Sequence, residues 1–231
     1  MALILNIESS TSVCSVCLSK NGKKINGRET HEKNAHSKIL TVFIEDILKE
    51  ENLKAKELDA VAVSKGPGSY TGLRIGVSAA KGMAYGAGIP LIAVNTLLNM
   101  SFGAGQKINA AGNYLFAPLI DARRMEVYTQ LFDKNLIPVN KTEAKIIDET
   151  SFSKELEKNT IYFFGDGADK CRQIIKHKNA VFIDDMHPSS DFMIPFSEQA
   201  FKEKKFEDIA YFEPFYLKNF IASIPTKNIY G

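Results

Sequence analysis

At 231 residues, 45% hydrophobic and 24% charged, the chain has the composition of a globular protein with room for one large domain or two small ones. A net charge of +2 lacks the basic excess of an extended nucleic-acid groove, which still leaves RNA binding open to it as one part of an assembly. Three cysteines give no paired framework, so a reducing cytoplasm is expected, and no run approaches the roughly 20 apolar residues of a membrane span.

The run Ala2-Leu3-Ile4-Leu5 has no basic flank and is cut by Asn6 and Glu8, so it reads as a first strand, Leu3 to Glu8, rather than a signal peptide. A Ser/Thr-rich turn leads to a strand from Val13 to Leu18. Its alternation puts the sulfurs of Cys14 and Cys17 on opposite faces, and no second C-x-x-C completes a zinc site. Lys20-Asn21-Gly22-Lys23 is a hairpin signal into a strand from Lys24 to Thr30. Ile39, Leu40, Phe43, Ile47 and Leu48 recur at helical spacing from Ser37 to Glu50. A strand from Asp59 to Val63, the turn Gly66-Pro67-Gly68, a helix from about Thr71 to Tyr85 and a strand from Ile89 to Val94 follow. This order favours a partly parallel sheet covered on both faces.

Small residues between Ser101 and Gly112 predict a boundary. Beyond it, Tyr114–Ile120 and Glu126–Phe132 read as strands joined at Asp121-Ala122-Arg123-Arg124. A helix near Phe152–Lys158, a strand Thr160–Phe164, the turn Gly165-Asp166-Gly167 and a helix over Ala168–His177 come next. The aromatic stretch Pro214–Lys218 is expected to lie on the body. Each half carries a glycine turn after a strand, as a duplicated two-lobed fold would.

Leu5-Asn6-Ile7-Glu8-Ser9-Ser10-Thr11, Gly66 through Arg74, Ile120 through Arg124 and Tyr216-Leu217-Lys218 occur in that order. Together they resemble the bacterial TsaB (YeaZ) family of the actin/sugar-kinase/heat-shock ATPase-like superfamily, over essentially the whole chain and most securely over 1–130. The resemblance implies a two-lobed actin-like ATPase (ribonuclease H-like) fold, with mixed sheets flanked by helices and a reduced second lobe. Its lobes would be 1–104 and 105–231, with the tail 210–231 returning to the first. It further implies a non-catalytic scaffold and activating subunit. The partners would be a catalytic TsaD homologue and a TsaE ATPase, which attach threonylcarbamoyl to N6 of adenosine 37 in tRNA. Alone, such a chain would form a homodimer through the same helices. Older family labels call these proteins glycoproteases or peptidases.

The catalytic relatives implied by the resemblance carry an H-x-x-x-H metal pair after the strand equivalent to Ile89–Val94. Here those positions are Thr96 and Met100, and the four histidines His31, His36, His177 and His187 make no i, i+4 pair. No metal and no cofactor are therefore expected. A vestigial phosphate loop is a second candidate site: Glu8, Ser9, Ser10, Thr11, Gly66 and Gly68 on one lobe, Gly165 and Gly167 on the other. A third is a partner face on the two helices, comprising Ile39, Leu40, Phe43, Ile44, Ile47, Gly72, Arg74, Gly76, Ala79, Ala80 and Met83. Helical glycines cost up to about 1 kcal/mol each, and close approach of another backbone is the usual compensation. The same residues would equally serve the monomer's own core. Asp121 and Arg123 are read as structural or as facing the partner. The alternatives are a small ATPase or sugar kinase, a ribonuclease H-like nuclease, which needs more strand-end carboxylates than Glu8 alone, and a peptidase.

Overall fold

The computed structural model describes residues 2–32, 35–110 and 112–218. The last part of the expected tail, 219–231, lies outside them. Five strands form the first sheet: β1 (Leu3–Glu8), β2 (Cys14–Lys20), β3 (Lys23–Thr30), β4 (Ala60–Gly66) and β5 (Leu91–Asn95), in the order β3-β2-β1-β4-β5. β2 runs antiparallel to β1 and β3, whereas β4 runs parallel to β1 and β5. Helices α1 (His36–Glu50) and α2 (Tyr70–Ala87) precede and follow β4, and α3 (Thr96–Lys107) follows β5.

The second half repeats this plan. Strands β6 (Tyr114–Asp121), β7 (Glu126–Thr129), β8 (Phe132–Asp133), β9 (Glu143–Ile146), β10 (Thr160–Phe164) and β11 (Ala180–Phe182) give the order β11-β10-β6-β7-β9, with β8 beside β6. Again the first strand pairs antiparallel with its successor and parallel with the strand after the first helix. Helices α4 (Ser153–Leu156) and α5 (Ala168–Arg172) are single turns where α1 and α2 are long, and α6 (Ser190–Lys202) matches α3. The two-lobed fold expected from the sequence, with its reduced second lobe, is the one observed.

Alternation along the strands decides what lies on each face. Leu5, Ile7, Cys14, Val16 and Val63 face α1 and α2 and pack with Leu40, Ile44, Ile47 and Ala80. Ile4, Ala60, Ala62, Ile92 and Val94 face the other way and meet Met193 of α6. In the second half, Leu119, Ile161 and Phe163 pack with Leu156 and Cys171, while Phe116, Ile120 and Phe164 pack with Leu97, Met100 and Ala104 of α3. The third helix of each half thus lies on the sheet of the other half. The two cysteines of β2 do fall on opposite faces. Cys14 joins the α1–α2 core, and the Cys17 thiol donates to the Ser190 carbonyl at 3.2 Å. Burial pushes these thiols up to about 11 and about 12.

Two expectations need correction, and one helix was not predicted: the small residues over 101–107 belong to α3. Gly103 is small because Phe192 and Met186 occupy the space its Cβ would need, so its presence marks a helix crossing. The helix expected over Ala168–His177 stops at Arg172. Strand β5 starts two residues later than predicted, because Gly88 caps α2 in the left-handed region and the Ile89 N–H still bonds to Ala84.

Candidate functional site

The ends of β1, β4, β6 and β10 converge on a cleft of about 440 Å³ between the lobes, lined by Ser10, Thr11, Ser12, His36, Ser37, Ser69, Thr71, Gly72, Ile75, Ile120, Asp121 and Asp166. Of the candidate phosphate-loop residues Ser10 and Thr11 line it, and Gly68 lines the neighbouring groove. Several backbone donors of these turns are bonded within the chain. Ser9 N–H donates to Ser64 Oγ (3.3 Å) and Ser10 N–H to Glu8 Oε1 (2.8 Å). Ser69 N–H is held by the Ser10 carbonyl (2.6 Å), and Gly167 N–H by the Leu119 carbonyl (2.9 Å). A Cβ on Gly68 would overlap the Ser10 carbonyl, one on Gly72 the Ser9 carbonyl and one on Gly165 the Leu119 carbonyl. Each glycine turn is closed onto the first hairpin of its own lobe. Gly66 likewise lies against the Phe215 carbonyl of the tail.

The cleft is also electrostatically wrong for an anion: it presents two carboxylates, and no lysine or arginine appears among its lining residues. Asp166 opens onto solvent, yet crowding between the lobes pushes its carboxyl upward. The neighbouring Asp121 carboxylate adds to this shift, and the Asp121 N–H at 2.9 Å opposes it. At the end of β1, Glu8 is fully buried. Desolvation raises its pKa, and donors from Ser10 and from Asn99 Nδ2 (2.7 Å) hold it back in part. The sequence pattern did not mark Asn99, which lies between the two positions singled out for a metal pair. Thr96 and Met100 at those positions are both completely buried.

A second groove, of about 650 Å³, runs between Pro67–Thr71, the turn Asp121–Arg124 and Phe215–Lys218. Phe215 N–H bonds to the Lys65 carbonyl (2.7 Å), and Tyr216 lies against Tyr70 with ring centroids 5.0 Å apart. Lys170 pins the turn by donating to the Asp121 carboxylate and to the Arg124 and Glu126 carbonyls. Arg123 and Arg124 are left exposed on it.

The expected partner face divides in two. Leu40, Ile44, Ile47, Gly72, Gly76 and Ala80 are buried within the chain itself. Gly72 and Gly76 accommodate Ser9, so the backbone they admit belongs to the same molecule. Ile39, Phe43, Ala79 and Met83 remain half-buried on the outside of α1 and α2, Arg74 is exposed, and Val42 beside them is 46% exposed. The histidines, scattered in sequence, are not all scattered in space, for His31 and His187 are in ring contact.

These features have counterparts among known proteins. A family model described as TsaD, tRNA N6-adenosine threonylcarbamoyltransferase, matches residues 28–225. The tRNA threonylcarbamoyladenosine biosynthesis protein TsaB of Escherichia coli (strain K12) is 33% identical over 228 residues, covering 95% of this chain and 96% of that protein. The chain belongs to the TsaB family. The Haemophilus influenzae TsaB is 30% identical over 225 residues, spanning 94% and 93% of the two chains. In fold, YeaZ from Pseudomonas aeruginosa superposes with a TM-score of 0.80 at 22% identity, covering 94% of this chain and all of that one. Family membership places the chain among the proteins of threonylcarbamoyladenosine biosynthesis. No helix among the described residues is long and apolar enough to cross a membrane.

Proposed function

We propose that this chain is a non-catalytic, activating subunit in cytoplasmic synthesis of N6-threonylcarbamoyladenosine on tRNA. It pairs with a TsaD-type transferase through the outer face of α1 and α2, and a TsaE-type ATPase joins the assembly. One observation carries the reading: the interlobe cleft is closed as chemistry. The N–H groups of Ser9, Ser10, Ser69 and Gly167 are bonded within the chain, the cleft lining carries two carboxylates without a lysine or arginine, and Thr96 and Met100 are core residues. What stays open is an outer helix face carrying Ile39, Val42, Phe43, Ala79 and Met83, and a half-exposed apolar surface of this kind supports docking. In the absence of the transferase the same face pairs two copies of the chain.

Reconstitution with the transferase, the ATPase and tRNA tests this. Modification should fall to background when the chain is omitted and return when it is added. Full modification without it, or turnover of ATP by the chain alone, would overturn the proposal.

A further inference from the structure

We propose that the groove between Pro67–Thr71, the turn Asp121–Arg124 and Phe215–Lys218 receives an acidic peptide segment of the transferase-type subunit. This rests on the function proposed above and gives the chemistry of a second contact with the same partner.

Charge singles the groove out. The two carboxylates that line it are already paired within the chain, Asp121 with Lys170 and Glu126 with Lys218. Arg123 and Arg124 also line it, both exposed and neither with a carboxylate partner among the described residues. A third guanidinium, that of Arg74, lies over the Tyr70 ring, 5.4 Å from its centroid. The pairing leaves an excess of positive charge here, where the neighbouring interlobe cleft has no lysine or arginine at all in its lining.

The walls supply aromatic surface. Tyr70, Tyr128, Phe215 and Tyr216 line the groove, and Tyr216 lies against Tyr70. Burial raises the Tyr128 phenol; Lys218 and Arg123 oppose the rise and Glu126 adds to it, so both cations stand near that hydroxyl. Tyrosine and arginine are the side chains that carry much of the binding energy at protein interfaces. A planar guanidinium takes a carboxylate through two parallel N–H bonds.

The same features weigh against a nucleic acid. A phosphate track needs a marked basic excess, whereas the chain carries a net charge of +2 and two carboxylates line the groove beside its arginines. The groove also begins at Tyr70 and Thr71 on the first turn of α2, the helix whose outer face is the proposed docking face. One partner can therefore occupy both.

A fluorescein-labelled peptide of glutamate and tyrosine should bind the chain alone, more tightly at low salt than at high, and a lysine–tyrosine peptide should not. Arg123→Glu combined with Arg124→Glu should lower that affinity at least about tenfold, with Tm unchanged because both side chains are exposed. Tyr216→Ala should lower it as well, and the transferase-type subunit should displace the peptide. No binding of the acidic peptide, equal affinity in the double variant, or a transferase that binds without displacing the peptide would overturn the proposal. So would tighter binding of labelled oligouridylate, which would make the groove an RNA site. Failure of the transferase to bind the parent chain at all would be a failure of the proposed function itself, and it is read apart from the peptide titration.

Discussion

Asn99, on the first turn of α3, donates its amide to the carboxylate of Glu8 at the end of β1 over 2.7 Å, and both residues are fully buried. Glu8 has no cationic partner among the described residues. On the same helix, Thr96 Oγ1 and Asn99 Oδ1 have no hydrogen-bond partner. Burial raises the Glu8 carboxyl above 4.5, so the folded chain holds its proton more tightly than the unfolded chain does. The stability linked to that proton is full below about pH 4.5 and is lost as pH climbs through the folded value. Glu8→Gln keeps an acceptor, removes the charge and brings a donor among unsatisfied acceptors. It should stabilise the fold at pH 8 by on the order of 1–2 kcal/mol, read as a higher Tm, and flatten the decline of Tm above pH 4.5. Thermal melts from pH 4 to 8 would show this; a variant less stable than the parent at pH 8 would contradict it.

The glycines of α2 predict effects of opposite sign. At Gly72 an alanine Cβ would overlap the Ser9 carbonyl, whereas at Gly82 it meets nothing within 4 Å. Gly72→Ala should destabilise by about 1–3 kcal/mol through overpacking, and Gly82→Ala should stabilise by up to about 1 kcal/mol through helix propensity. Urea titration of both variants measures the difference. Equal midpoints would mean that the β1–β2 turn does not sit where it is described.

For the same reason Gly76→Leu and Ile44→Asp are poor probes of association, since both positions are buried in the monomer. Val42→Asp and Met83→Glu change the outer face instead. Each should shift sedimentation toward monomer and weaken binding to the transferase at least about tenfold, with Tm almost unchanged. Two stable variants that associate normally would move the interface off this face.

Much of the first lobe was legible because its faces are apolar at clear periods: Leu5 and Ile7 alternate, and Leu40, Ile44 and Ile47 recur by turns. Helix α6 was not legible, for the opposite reason. Its buried face includes Ser190 and Ser197, which bond Ser15 and Asn6 on the sheet, and it contains Pro195. Hydrophobic periodicity cannot register a face recognised by hydroxyls. The glycines after β4 were visible in sequence, but whether they face a phosphate, a partner or Ser9 and Ser10 depends on a contact across the lobe. The ring contact of His31 with His187 is equally non-local.

The polar seam of α6 can be tested on its own. Ser197 Oγ–H donates to Asn6 Oδ1 at 2.6 Å, with both residues fully buried. Ser197→Ala leaves that acceptor unpaired, at a cost of about 1–3 kcal/mol. Amide exchange should quicken over Ser190–Lys202 more than over α1. Uniform quickening across the chain would show that α6 unfolds only with the whole.

The turn after β6 gives the last prediction. Arg123 and Arg124 adopt φ of 69° and 49°, a left-handed conformation that costs a side-chain-bearing residue roughly 1–2 kcal/mol. The turn is held by Lys170, whose ammonium meets the Asp121 carboxylate and the Arg124 and Glu126 carbonyls at once, and by Arg123 N–H on Asp121 Oδ1 at 3.0 Å. Both arginine side chains are exposed, and neither has a carboxylate partner among the described residues. Lys170→Met keeps the aliphatic stem and removes the bonds. It should cost about 1–3 kcal/mol and reduce modification in the reconstituted system, with Lys170→Arg recovering part of both. Arg123→Ala separates the two effects, because it leaves the clamp intact. Tm should hold while affinity for the transferase falls. Should affinity stay unchanged in Arg123→Ala and Arg124→Ala alike, the turn is built for stability and faces no partner.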